Sequence, residues 1–135
     1  MKMCEEIKAE NIDQICAKYS VEIVEKMKIN HDPKEIQNLI TRALCVLQQQ
    51  GLYAFSLFCK AESKAGKILE KAIDMLQELG VLNNSAADDL SNVSKLSENI
   101  HDLMFAIEVI EKTLIYARYH AKALAKKVEN QGEKG

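Results

Sequence analysis

Four lysines stand at a spacing that suits a polyanion: Lys60, Lys64, Lys67 and Lys71. Steps of three and four residues return to the same side of an α-helix. An unbroken helix through Gly66 would therefore line the four ammonium groups along one face. A phosphate backbone is a line of charges, and a row of flexible cations matches it. The same stripe also describes a solvated helix face, partly neutralised by Glu62 and Glu70. A second basic island, Arg118-Tyr119-His120-Ala121-Lys122, continues to Lys126 and Lys127 and alternates cations with aromatic rings. That mixture clamps phosphates and stacks bases in single-stranded nucleic acid. Cations near a helix C-terminus are also favoured by the macrodipole, whatever the function.

Other chemistry is weakly represented. Glu98 and His101 form an E-x-x-H pair, the spacing that places a carboxylate and an imidazole on one helix turn of a di-iron site. Such a site needs a second copy of the motif, and neither His31 nor His120 has an acid three residues before it. The two are expected as a polar pair at the helix surface, with no metal and no cofactor implied. Cys4, Cys16, Cys45 and Cys59 form no C-x-x-C and fall on helical apolar patterns, which suits buried free thiols in a reducing compartment. With no glycine-rich elbow, phosphate loop or cysteine–histidine pairing, a non-enzymatic protein is expected.

The elements that must position these residues are helices. With one proline, five glycines and no tryptophan in 135 residues, the chain has few of the breakers an all-β fold requires. The fold expected is an all-α bundle of five to six helices in a single domain over residues 1–129, with 130–135 as a disordered tail. Ile12, Cys16, Tyr19, Ile23 and Met27 repeat at three and four, giving a first helix over residues 4–29. Asn30-His31-Asp32-Pro33 ends it and starts the next, with Asp32 as cap, Pro33 in the first turn and Glu35 completing a capping box.

The second helix should reach about Gln49 and stop at Gly51 in a left-handed cap. The apolar run Leu52–Cys59 fits a buried helix better than a strand that would lack a partner. A helix from Lys64 to Leu79 should end at Gly80 with Val81 or Leu82 folded back. Asn83-Asn84-Ser85 reads as a loop, Ser85 with Asp88 as a capping pair, and 88–97 as a short helix. Val93, Leu96, Ile100, Leu103, Ile107, Ile110, Leu114, Ala117, Ala121, Leu124 and Val128 follow a heptad rhythm. Phe105, Val109 and Tyr116 add a second apolar stripe, as expected of a bundle's central helix. Unbroken, that helix would span about 54 Å at ~1.5 Å per residue. Either it breaks near Ser94–Ser97 or its basic end projects, and projection is expected.

The net charge of −2 does not advertise nucleic acid, but its distribution is uneven. Residues 59–71 carry 4 basic and 2 acidic groups, and residues 118–135 carry 5 and 2. Residues 72–117, between them, carry 2 basic and 8 acidic groups, so two positive islands face an acidic middle. The first residues lack the apolar core of a signal peptide, and no stretch approaches the ~20 apolar residues of a membrane span. A cytoplasmic protein with no membrane contact is the expectation.

Gln50-Gly51-Leu52-Tyr53-Ala54-Phe55-Ser56-Leu57-Phe58 and Ile115-Tyr116-Ala117-Arg118-Tyr119-His120-Ala121-Lys122-Ala123-Leu124 together resemble stretches of the small α-helical subunit of type III-B CRISPR effector complexes. The resemblance implies a non-catalytic subunit of an RNA-guided antiviral ribonucleoprotein. Such a subunit stacks along guide and target RNA and contacts neighbouring subunits and its own copies. Lys60, Lys64 and Arg118 are the RNA-facing residues it implies. Lys67, Lys71, Lys122 and Lys126 join them through helix geometry alone. The alternative is a self-associating helical module, a homo-oligomer whose lysines only keep it soluble.

Overall fold

The computed structural model describes the backbone of residues 2–82 and 89–133 and the side chains of 11–82 and 90–128. It is all-α, with no strand among the described residues: α1 (Lys2–Met27), α2 (Pro33–Gln50), α3 (Leu52–Ala61), a 3-10 turn (Ser63–Ala65), α4 (Gly66–Glu78), α5 (Asp89–Leu96) and α6 (Ile100–Glu133). No helix among these is long and apolar enough to cross a membrane.

The local signals set most of the boundaries. Asp32 is the N-cap of α2, accepting a hydrogen bond from the Glu35 amide at 2.9 Å, with Pro33 in the first turn. Gly80 takes φ +77°, the Gly80 amide donates to Gln77 O and the Val81 amide to Leu76 O. That is a complete Schellman ending. Gly51 differs from expectation, because its φ of 93° comes with ψ of −177°. It is an extended mirror-image residue rather than a left-handed cap, and it links α2 directly to α3 at an angle. The expected Asn83-Asn84-Ser85 loop and the Ser85–Asp88 capping pair lie outside the described residues.

α6 packs between α1 and α2 and makes its most extensive contacts with them. Its buried line is Ala106, Val109, Ile110, Thr113, Leu114, Ala117 and Ala121. α2 runs antiparallel to α6: Gln48 bonds Glu111 at 3.3 Å, while Pro33 lies beside Ala125 and Val128. On the other side, Asp13 of α1 meets Lys112 and Tyr116. α4 runs back along α1, tied by Lys18–Glu78 at 2.9 Å and Lys71–Glu22 at 3.4 Å. In the centre, Thr113 satisfies its hydroxyl on Val109 O at 2.7 Å beside Met75 Sδ, so its burial leaves no donor unpaired.

The heptad-patterned segment is two helices. A turn at residues 97–99 separates α5 from α6, so the break expected only as the lesser alternative is present. Asn99 causes it, since Oδ1 accepts from the His101 and Asp102 amides and caps α6. The hydrophobic rhythm continues across this break because α5 still buries Val93 and Leu96 against the core. α6 continues to Glu133, past the point where the sequence suggested a tail.

Candidate nucleic-acid interface

Each cation sits where its element puts it, and the first stripe does not survive folding as one row. The condition for it was a helix running through Gly66. Gly66 is itself helical, at φ −57° and ψ −35°. The interruption comes earlier, at Glu62, whose extended backbone (φ −94°, ψ 101°) ends α3 and whose carboxylate accepts from the Lys64 amide at 3.5 Å. Lys60 is left exposed in the last turn of α3, Lys64 in the 3-10 turn, and Lys67 and Lys71 on α4.

Three of the four meet acids. Lys64 Nζ lies 3.1 Å from Glu35 Oε1 on α2. Lys67 pairs with Glu70 at 3.0 Å. Lys71, whose side chain is only 12% exposed, reaches Glu22 at 3.4 Å and Asp74 at 3.8 Å. An exposed pair such as Lys67–Glu70 contributes little stability, but each of the three offsets the positive field an anion would feel. Lys60 has no acidic partner among the described residues.

The second island survives as a row. Arg118 is half-buried, and Lys122 and Lys126 are exposed on α6. None of the three has an acidic partner among the described residues. Steps of four residues carry the row about 6 Å along the axis each time, with a slow sideways drift of about 40° per step. The dipole does not account for all of it. α6 runs to Glu133, so Arg118 and Lys122 lie well before the last turn, where that effect fades. Tyr119, 61% exposed, stands next to the row with its ring in solvent. His120 points away from it, towards a recess of α1 shared with Val21, Val24, Glu25 and Leu124.

Tertiary packing also brings Lys64 and the later turns of α6 to the start of α2. Glu35, which holds Lys64, lies within the first turn of α2. On the α6 side of that same turn, Asp32, Pro33 and Lys34 join Ala125 and Val128 around an apolar recess of about 190 Å³. Neither the recess nor the participation of Pro33 and Lys34 was visible in the sequence, because the two walls are far apart along the chain. Only Tyr119 carried a local signal, as an aromatic residue between two cations.

Glu98 falls in the α5–α6 turn rather than on a helix with His101, so the E-x-x-H pair does not share one helical turn. No group of three metal-ligating side chains is present among the described residues. Cys16 and Cys59 are buried free thiols, whereas Cys45, expected in the core, is exposed on the far side of α2 from Ile36, Leu39 and Ala43. Burial pushes the Cys59 thiol up to about 12 and also raises that of Cys16. Asp13 accepts from Lys112 at 2.7 Å and from the Tyr116 hydroxyl at 2.6 Å. These bonds, Lys112 foremost, hold its carboxyl below the ordinary range and raise both partners. The cluster clasps α1 to α6.

Comparison with protein-family models, with curated proteins and with solved structures finds no match to this chain.

Proposed function

We propose that this chain is a non-catalytic RNA-contacting module, acting as a small helical subunit of an RNA-guided antiviral ribonucleoprotein similar to the type III-B CRISPR effectors. The observation that carries the reading is the contrast between the islands. Arg118, Lys122 and Lys126 present charge without an acidic partner among the described residues, whereas Lys64, Lys67 and Lys71 are held by Glu35, Glu70 and Glu22. An unneutralised row next to an exposed aromatic ring suits a single-stranded sugar–phosphate chain, with cations on phosphates and the ring against a base. Lys60, exposed in the last turn of α3, is also without an acidic partner among the described residues. The assembly partners are carried by the sequence resemblance, which also bears on Lys60, Lys64 and Arg118. Copies of the chain side by side would add contacts along the strand, so a single copy is expected to bind weakly.

The test is the salt dependence of binding to a labelled single-stranded RNA. Changing Arg118, Lys122 and Lys126 to alanine together removes three phosphate contacts and should flatten the log–log slope by about 2, at ~0.7 per contact. The matched change of Lys64, Lys67 and Lys71 should leave the slope nearly as it was. Equal slopes in the wild type and the α6 variant would sink the assignment.

A second reading, self-association without nucleic acid, draws on Ile100 and Met104, which are 65% and 56% exposed one turn apart at the start of α6. The heptad residues Ile110, Leu114, Ala117 and Ala121 are already buried within one chain. A concentration-dependent sedimentation coefficient abolished by Met104→Glu would favour this reading.

A further inference from the structure

The recess between the start of α2 and the end of α6 has a composition unlike the cation row beside it. Pro33, Ala125 and Val128 form its apolar walls, with Asp32 and Lys34 at its edge. Its volume is about 190 Å³ and it opens to solvent, with Val128 half exposed. Ala125 continues the line of Arg118 and Lys122 along α6, seven and three residues further on. Steps of three and four keep them on one side of the helix. A strand whose phosphates follow Arg118 and Lys122 therefore arrives at this recess about 10 Å beyond Arg118.

Its walls suit an uncharged group better than another phosphate. Asp32 stands at the rim with its carboxylate committed to the Glu35 amide as the α2 cap. That charge offsets Lys34 at the same rim, so the edge offers no net attraction for an anion, and the apolar walls cannot solvate a phosphate. A flat, uncharged ring attached to the same strand meets neither objection and removes apolar surface of Pro33 and Val128 from water. We infer that the recess formed by Pro33, Ala125 and Val128 seats a nucleobase of a single RNA strand whose phosphates lie on Arg118, Lys122 and Lys126. This rests on the RNA-contacting reading above and deepens it. The site then selects single-stranded RNA over a duplex, whose bases are paired and stacked inside the helix.

The experiment compares two labelled probes on the full chain by fluorescence anisotropy. One is an oligouridylate of about ten nucleotides, within the usual span of single-strand sites. The other is an abasic strand of the same length, with the same phosphates. The expected result is at least fivefold tighter binding of the oligouridylate, an RNA duplex binding no better than the abasic strand, and parallel salt slopes on both single strands. Val128→Gln, at a half-exposed position where folding tolerates polarity, should cut the fivefold preference to about twofold without altering the slope. Equal binding of the two probes by the wild type would overturn the recess while leaving the phosphate row standing. So would a Val128→Gln protein that keeps the full preference, which would place the base on Tyr119 instead. Failure to bind either probe at low salt would overturn the parent reading itself.

Discussion

Cys45 and Cys59 show how far the same residue type diverges with its surroundings. Both lie in helices of the first half of the chain, but Cys59 is buried with its thiol pushed up to about 12, and Cys45 is exposed on α2. At neutral pH a thiol reagent should modify Cys45 promptly and reach Cys16 and Cys59 only on unfolding, which peptide mapping of labelled native protein checks. Asp13 makes a second prediction. Its carboxyl titrates below the ordinary value of 3.8 because Lys112 and Tyr116 donate to it. A depressed folded value means the contribution is complete above the ordinary carboxylate range and lost as pH falls through the folded value. The stability difference between the wild type and Asp13→Asn should therefore be larger at about pH 6 than at about pH 2, read from denaturant midpoints. The sequence showed these residue types without their neighbours. Cys45 read as core because it sits among apolar residues, and only the facing of α2 puts it outside.

Among the elements, the endings controlled by short-range chemistry were legible and the turns controlled by competition were not. Asp32-Pro33 and Gly80 act within a few residues of themselves, so their types announce the cap and the Schellman turn. The α5–α6 break could not be read from hydrophobic rhythm, since Val93 and Leu96 stay buried on both accounts. Its cause was present in Asn99, whose side chain takes the α6 amides in place of continued helix. The two positive-φ glycines make a graded prediction. A Cβ would meet no atom within 4 Å at either Gly51 or Gly80, so substitution costs backbone strain alone. Gly80→Ala, in the left-handed region, should lose about 1 kcal/mol. Gly51→Ala should lose more, about 1–3 kcal/mol, because ψ of −177° with φ of 93° is accessible almost only to glycine. Equal midpoints for the two variants in urea would contradict that order.

For the whole molecule, α6 is the element on which α1 and α2 are arranged, and α3 and α4 pack on those two in turn. Leu114 is 1% exposed at its centre, between α1 and α2. Leu114→Ala should cost about 2–5 kcal/mol, as transfer and cavity terms add, and a calorimetric scan should show the lowered midpoint as one cooperative transition. The same packing sets the electrostatics. Lys64 and Lys71 are quiet because α2 and α1 bring Glu35 and Glu22 to them, whereas Arg118 and Lys122 on α6 pair with no acid among the described residues.

Helix content, the α1–α2 boundary and the central place of the last helix were determined by the sequence itself. Each follows from periodicity or from a side chain acting on its own backbone, and those interactions need no distant partner. Tertiary structure alone decided which cations stay unneutralised, that Lys64 and the later turns of α6 flank the first turn of α2, and that a recess lies between Pro33 and Val128. These properties belong to pairs of residues far apart in the chain. A linear pattern records which charges and rings exist, but their fields and shapes depend on distances that exist only after the helices have packed.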